Sequence, residues 1–168
     1  MKPIIETPRL YLRQLTHNDI SNLSLVLSDD DSMKYYPHVF SIKDVTIWIE
    51  RNIERYKYDG FGLWAVIRKK DNQFLGDCGI TLQNIDGEIL PEIGFHIIKT
   101  FCNMGYATEA SDACKKYATE ILGFKSVYSY SEIENKASQK VSSKIGMNKI
   151  KVFKSEGKDK VVYEYKSK

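Results

Sequence analysis

Residues 93–110 read IGFHIIKTFCNMGYATEA, an apolar strand pattern that passes through a short polar turn into the start of a helix rich in small residues. A helix that begins in this way leaves its first backbone N–H groups unpaired and presents the positive end of its dipole, an arrangement that binds phosphate. Gly105 has no side chain to hold a ligand away from the backbone. The stretch therefore predicts a ligand that carries phosphate.

Hydrophobic periodicity and turn residues predict the remaining elements. Helices are expected near residues 18–28 and 42–58, from Tyr106 to about Ile121, and from a cap at Asn135 to a stop at Gly146. Strands are expected near residues 8–15, 62–69, 74–83, 89–98, 125–133, 149–154 and 159–166. The dipeptides Asp71-Asn72, Asp86-Gly87 and Glu156-Gly157 are typical of hairpin turns. The predicted order is mixed α/β, in a single domain that spans residues 1–168.

Composition limits the classes of function. The 168 residues are 42% hydrophobic and 28% charged, as in an ordinary globular protein, and the net charge of +3 gives no case for a nucleic acid partner. The chain shows neither an apolar run of membrane-spanning length nor a signal-like start, so we expect a cytoplasmic protein without a membrane partner. Its three cysteines lack CxxC spacing and its three histidines do not cluster, so no metal is predicted.

Three motifs, spread over nearly the whole chain, resemble a known family. Cys102-Asn-Met-Gly105-Tyr-Ala107 resembles the acyl-CoA pyrophosphate loop of the GNAT superfamily of N-acyltransferases, whose pattern is Gln/Arg-x-x-Gly-x-Gly/Ala. Glu6-Thr-Pro-Arg-Leu-Tyr-Leu-Arg13 resembles the opening strand of the ribosomal-protein N-terminal acetyltransferase branch. Asn135-Lys-Ala-Ser138, followed by Lys144-Ile-Gly-Met147, is similar to that branch's Asn-x-x-Ser and Lys-x-Gly-Phe signature.

The chain departs from the pattern at three positions. Cys102 and Asn103 stand where the family has Gln, Arg or Trp and then often Gly, so one phosphate-facing side chain is missing. Met147 replaces the usual Phe, an apolar exchange that cores tolerate. The backbone donors of the loop do not depend on these side chains.

The resemblance implies a GNAT-like, mostly antiparallel sheet of about seven strands, with strands four and five splayed and about four helices around it. Strands four and five are here Glu92–Ile98 and Lys125–Ile133. Acetyl-CoA is the implied co-substrate, with its pantetheine arm paired to strand four. The expected cofactor contacts are Phe95, Ile97, Ile98, Asn103, Met104, Gly105, Tyr106, Ala107, Thr108, Asn135 and Ser138.

The chemistry of acetyl transfer needs a base, because an amine attacks a thioester only when it is neutral. Glu92 is the candidate base, since it precedes Ile93-Gly-Phe where many relatives carry a glutamate. His96 shares its alternation face and is the second candidate. Ser138 is the candidate donor to the developing thiolate. Where relatives place a tyrosine acid this chain has Ser142, which leaves Ser138, Tyr130 or solvent for that role.

These expectations combine into an acetyl-CoA-dependent N-acetyltransferase that moves the acetyl group directly to a primary amine. The branch resemblance favours a protein or peptide N-terminus as the acceptor. A small-molecule amine, such as a polyamine or an antibiotic, is the first alternative. A non-catalytic acyl-CoA-binding domain is the second, and a homodimer is left open.

Overall fold

Eight strands form one sheet in the computed structural model, which describes residues 1–168. The strands are β1 Ile5–Glu6, β2 Leu10–Gln14, β3 Leu63–Arg68, β4 Gln73–Ile85, β5 Glu88–Ile97, β6 Ser126–Glu132, β7 Asn148–Ser155 and β8 Lys158–Lys166. Their order is β1-β2-β3-β4-β5-β6-β8-β7, and every neighbouring pair is antiparallel except β5 and β6. The mixed, mostly antiparallel fold is thus confirmed. The additional strand is β1, whose two residues are too few to show a periodic pattern.

Four α-helices flank the sheet: α1 Ile20–Leu27, α2 Ile42–Tyr58, α3 Tyr106–Lys116 and α4 Lys136–Lys144. Residues Tyr117–Ile121 extend α3 by a π-helical turn. The caps follow the sequence. Ser41 and Asp44 form a capping box before α2, and the Asn135 side chain accepts the Ser138 N–H before α4.

Side chains along the central strands point alternately into two hydrophobic cores, one on each face of the sheet. Ile93 lies in the core that packs against α3, whereas Ile98 lies in the core that packs against α1 and α2. Because neighbouring side chains in a strand point to opposite faces, Glu92, Gly94 and His96 face the α1–α2 side. The two candidate bases therefore share one face, as the sequence predicted.

The buried face of α4 departs from hydrophobic periodicity. Helical spacing favours Ala137 and Val141 for this face, but Ala137 is exposed and Val141 is only half-buried. Ser142 is buried instead, because its hydroxyl is hydrogen-bonded to the Ser129 hydroxyl at 2.6 Å. A buried serine is polar by residue type, so hydrophobic periodicity could not assign it to this face.

None of the helices is both long enough and apolar enough to cross a lipid bilayer.

Candidate active site

The strands β5 and β6 separate almost as soon as they meet. Their only paired residues are Glu92 and Tyr128. The rest of these two parallel strands is unpaired, which confirms the predicted splay. The opening exposes backbone of β5 that no strand covers.

The direction of the β5 backbone decides which residues offer hydrogen bonds to this opening. The Ile98 N–H donates to the Leu75 carbonyl on the β4 side at 2.8 Å. Since N–H and C=O groups alternate in direction along an antiparallel strand, those of Phe95 and Ile97 point toward β6 and the opening. Ile98 was expected to contact the cofactor, but its carbonyl accepts the Phe101 N–H at 2.8 Å and its side chain lies in the α1–α2 core. Its backbone is thus already paired.

The loop before α3 presents a run of free backbone donors. No N–H group from Asn103 to Thr108 donates a hydrogen bond within the protein, and α3 has no side-chain cap. Asn103 and Gly105 have φ angles of 63° and 83°, a left-handed conformation that turns successive N–H groups outward. This run, at the positive end of α3, fits the pyrophosphate of an acyl-CoA.

Arg9 fastens this loop to β2. Its Nε donates to Glu109 Oε2 at 2.6 Å, and its Nη1 donates to the Met104 carbonyl at 3.0 Å. Glu109 also accepts the Thr7 hydroxyl at 2.6 Å. Burial alone would raise the pKa of Glu109, but these hydrogen bonds from Thr7 and Arg9 outweigh it and lower the pKa. The carboxylate therefore stays ionised and holds Arg9 against the loop.

The Tyr106 side chain is part of the core. It is 7% exposed, lies 4.5 Å from the Arg9 guanidinium and receives a hydrogen bond from Arg68 at 3.4 Å. What Tyr106 offers to a ligand is its backbone N–H.

Cys102 lies in the loop, and its thiol points back at the chain. Its sulfur is 3.5 Å from the Ile97 carbonyl and 3.7 Å from the Ile98 carbonyl. Burial, and then the charge of Asp31, raise the pKa of the Cys102 thiol. A helix N-terminus ordinarily lowers the pKa of a nearby thiol. The local burial gives the opposite shift.

Glu92 sits at the point where β5 and β6 part. Burial raises the pKa of Glu92 to about 8, against the opposing effects of the Tyr130 N–H and the Arg55 charge. A Cβ placed on Gly94 would lie 3.6 Å from Glu92 Oε1, so the carboxyl lies over a residue that leaves space beside it. A carboxyl of this pKa is poised to exchange protons near neutral pH.

A chain of hydrogen bonds lies on the same face of the sheet. The Asp77 carboxylate is fully buried and accepts from Trp48 Nε1 at 3.0 Å and from His96 Nδ1 at 2.7 Å. The other His96 nitrogen, Nε2, is 2.5 Å from the Tyr36 hydroxyl. Sequence reasoning identified His96 but missed Asp77 and Tyr36, because no spacing motif connects three residues from separate segments.

The candidate residues at the start of α4 and within it differ in which side-chain groups are free to bind a ligand. The Asn135 Oδ1 is occupied by capping, and the Ser142 hydroxyl is bonded to Ser129 and to the Ser138 carbonyl. The half-buried Ser138 hydroxyl makes no hydrogen bond within the protein. Of these three side chains, Ser138 therefore has a free hydroxyl donor and Asn135 has a free amide donor at Nδ2, whereas Ser142 has neither.

A surface cleft of about 450 Å³ lies between the β4–β5 and β7–β8 turns. Its lining is mostly polar and carries both signs of charge, with Asp86, Lys154 and Lys160 among its residues. Tyr130 is one of its lining residues, and the Tyr130 N–H is hydrogen-bonded to the Glu92 carboxyl, which does not itself line the cleft.

No group of three or more His, Cys, Asp or Glu side chains is arranged to hold a metal ion.

Comparison with known families agrees with this geometry. The model of the acetyltransferase (GNAT) domain matches residues 9–148, which include β2 through α4 and the whole opening between β5 and β6. The chain belongs to the GNAT acetyltransferase family. It is therefore an acyltransferase, and GNAT enzymes use acetyl-CoA as their co-substrate.

Two relatives in Bacillus subtilis (strain 168) are similar over most of this GNAT chain. The uncharacterized protein YkkB is 34% identical over 167 residues, which cover 99% of this chain and 97% of YkkB. The uncharacterized N-acetyltransferase YnaD is 30% identical over 151 residues, which cover 89% of this chain and 85% of YnaD.

Solved structures share the fold. The crystal structure of a GNAT-family acetyltransferase from Bacillus anthracis superposes with a TM-score of 0.83 at 28% identity, covering 96% of this chain and 97% of the other. RimL, a ribosomal L7/L12 α-N-protein acetyltransferase in complex with coenzyme A, has a TM-score of 0.80 at 17% identity, with 98% of each chain covered. The second likeness is one of fold alone.

Proposed function

We propose that this GNAT enzyme transfers acetyl directly from acetyl-CoA to a primary amine, with Glu92 as the general base. The observation that carries the proposal is the position of Glu92 at the parting of β5 and β6, together with its pKa of about 8. Near neutral pH an ammonium substrate must lose a proton before it can attack. A carboxylate of this pKa accepts that proton more readily than an ordinary glutamate does.

The proposed hold on acetyl-CoA has two parts. The free N–H groups from Asn103 to Thr108 bind the pyrophosphate, and the outward backbone of Phe95 and Ile97 pairs with the pantetheine arm. Asn135 acts indirectly by capping α4, which positions Ser138. The free Ser138 hydroxyl donates a hydrogen bond to the departing thiolate.

The proposed acceptor is the N-terminal amine of a protein or peptide, as in the ribosomal-protein N-terminal acetyltransferase branch. An open, polar cleft lined in part by Tyr130, whose N–H is hydrogen-bonded to Glu92, suits an extended chain better than an enclosed small molecule. The fold shared with RimL over 98% of both chains is consistent with such an acceptor.

Labelled acetyl-CoA and mass spectrometry test the acceptor. The panel contains peptides with a free N-terminus, the same peptides with a formylated N-terminus and a free lysine, and polyamines. We expect label on the free N-terminal amine and none on the formylated peptides. Label on the polyamines alone would overturn the proposed acceptor, while leaving the proposed base in place.

A further inference from the structure

The hydrogen-bonded chain behind Tyr36 has a defined direction. Trp48 Nε1 carries only a donor, so the Asp77 oxygen that it contacts must accept. The other Asp77 oxygen then accepts from His96 Nδ1–H, as a buried carboxylate does when it faces an imidazole. His96 Nε2 is left as an acceptor, and the Tyr36 hydroxyl donates its proton to it.

The Tyr36 oxygen is consequently free to accept a second hydrogen bond. Tyr36 is 38% exposed, and its hydroxyl lies 2.5 Å from His96 Nε2. Gly94 lies between Glu92 and His96 on the same strand face and adds no side chain there. Glu92 Oε1 lies 3.6 Å from the position that a Cβ on Gly94 would take, so the space over Gly94 lies beside the Glu92 carboxyl and on the same sheet face as the His96–Tyr36 pair.

The stoichiometry of acetyl transfer requires two proton acceptors. An ammonium nitrogen carries three hydrogens and the amide product carries one, so the nitrogen loses two protons. One leaves before attack, and the other leaves the nitrogen of the tetrahedral adduct. A single carboxylate cannot hold both at once.

We propose that Tyr36, His96 and Asp77 form a proton relay that takes the second of these protons from the acceptor nitrogen. The proposal rests on the direct transfer proposed above, in which Glu92 takes the first. Tyr36 is the catalytic residue of the relay, because its oxygen touches the nitrogen. His96 receives the proton that Tyr36 passes on, and Asp77 is a positioning residue that fixes the imidazole.

The steps balance. Glu92 removes one proton from the ammonium, and the neutral nitrogen forms a bond to the thioester carbon. The adduct nitrogen gives a proton to the Tyr36 oxygen while the Tyr36 proton moves to His96 Nε2. The carbon–sulfur bond then breaks with its electron pair on sulfur, and the imidazolium returns a proton through Tyr36 to the thiolate. Glu92 releases its proton to solvent, so amide, thiol and one proton are formed.

The electrostatics of Tyr36 favour a relay over a simple tyrosinate base. Burial, followed by the charges of Glu92 and Asp77, raises the pKa of Tyr36. The oxygen therefore gains a proton only as it gives one up, and His96 Nε2 is the partner within reach. An imidazolium at His96 is stabilised by the buried Asp77 carboxylate.

The first test reads the imidazole directly and needs no acceptor. ¹⁵N NMR of the wild-type protein should show His96 protonated at Nδ1 and bare at Nε2. In Asp77→Asn, the new amide donates to Nδ1 and should move the proton to Nε2, which then donates to Tyr36 and blocks the relay. A wild-type imidazole whose single proton sits on Nε2, or an Asp77→Asn spectrum with the wild-type tautomer, would overturn the proposal.

The second test measures turnover of acetyl-CoA with a peptide that carries a free N-terminal amine. Tyr36→Phe keeps the ring but removes the hydroxyl, and should lower kcat by roughly a hundredfold with an unchanged KM for acetyl-CoA. In mixtures of H₂O and D₂O, a plot of kcat against the fraction of deuterium should be curved for the wild type, because several protons move in one step. The same plot should be a straight line for Tyr36→Phe. Tyr11→Phe, which removes a hydroxyl bonded to Asn72 far from the site, is the matched control.

The two proposals fail in different ways. Wild-type kcat and a curved proton inventory in Tyr36→Phe would overturn the relay while leaving the proposed transfer in place, since Glu92→Gln would still lower turnover. Wild-type protein that acetylates no amine would overturn the proposed function and, with it, the relay.

Discussion

Arg9 and Glu109 are joined by a 2.6 Å ion pair, although they lie one hundred positions apart in the chain. The pair connects the start of β2 to the first turn of α3, and the same guanidinium holds the Met104 carbonyl. Through these contacts Arg9 braces the loop whose N–H groups from Asn103 to Thr108 make no hydrogen bond within the protein.

Replacing Arg9 with alanine should therefore weaken CoA binding by about tenfold, which corresponds to about 1.4 kcal/mol. The loss arises because Met104 and Gly105 gain freedom that binding must then remove. Calorimetric titration with CoA measures the effect. Lys57→Ala, which breaks the exposed pair with Glu54, is the control and should leave the affinity unchanged. Equal affinities for all three proteins would show that Arg9 does not order the loop.

Gly105→Val should weaken CoA binding more than Arg9→Ala does. Gly105 has a φ of 83°, which a β-branched residue rarely adopts, and its Cβ would lie 3.2 Å from the Arg9 guanidinium. Gly123→Val is the matched control, because φ there is 78° and no atom lies within 4 Å of the added Cβ. Both variants should lose stability on thermal denaturation, but only Gly105→Val should lose affinity for CoA at least tenfold. The same affinity for CoA in both folded variants would show that this loop does not bind the phosphate of CoA.

Cys102→Ala should change little. The thiol points at two carbonyls, and its raised pKa keeps it protonated near neutral pH. We expect CoA affinity and turnover within twofold of wild type, and slow alkylation by iodoacetamide at pH 7 followed by mass spectrometry. Turnover that disappears in the alanine variant while CoA still binds would instead indicate a covalent acetyl-thiol intermediate, and would replace direct transfer.

The sequence predicted those parts of the fold that local chemistry determines. Asp86-Gly87 adopts the two positive φ angles of a tight hairpin, 51° and 90°, and Gly105 ends the phosphate loop where its motif placed it. Asp77 lies inside an apolar strand, and Tyr36 lies in an irregular segment. Neither position has a periodic or spacing signal. Their meeting at His96 depends on the register of β4 against β5 and on the fold of the α1–α2 loop, which are long-range properties.

Glu92→Gln should stabilise the protein at high pH. The pKa of Glu92 is about 8 in the folded state, above its ordinary value, so folding favours the protonated carboxyl. The wild type therefore loses stability as pH rises from its ordinary pKa to about 8, whereas the amide does not titrate. Urea denaturation should show the advantage of the variant grow by about 4 kcal/mol between pH 5 and pH 9, because each pKa unit of the shift from 4.5 to about 8 corresponds to about 1.4 kcal/mol. Glu120→Gln, at an exposed position, should show no such difference between the two pH values.

The same substitution tests the proposed base through the pH dependence of turnover. Wild-type kcat/KM should rise as pH increases through about 8, because the Glu92 carboxyl must be ionised to accept the ammonium proton. Glu92→Gln should lower turnover by roughly a hundredfold near pH 7, with little change in CoA affinity. Its residual activity should then recover at higher pH, as more of the amine loses its proton in solution. A variant with wild-type turnover and the wild-type pH profile would exclude Glu92 as the base, and the Tyr36–His96 pair would be left as the nearest proton acceptor on that face.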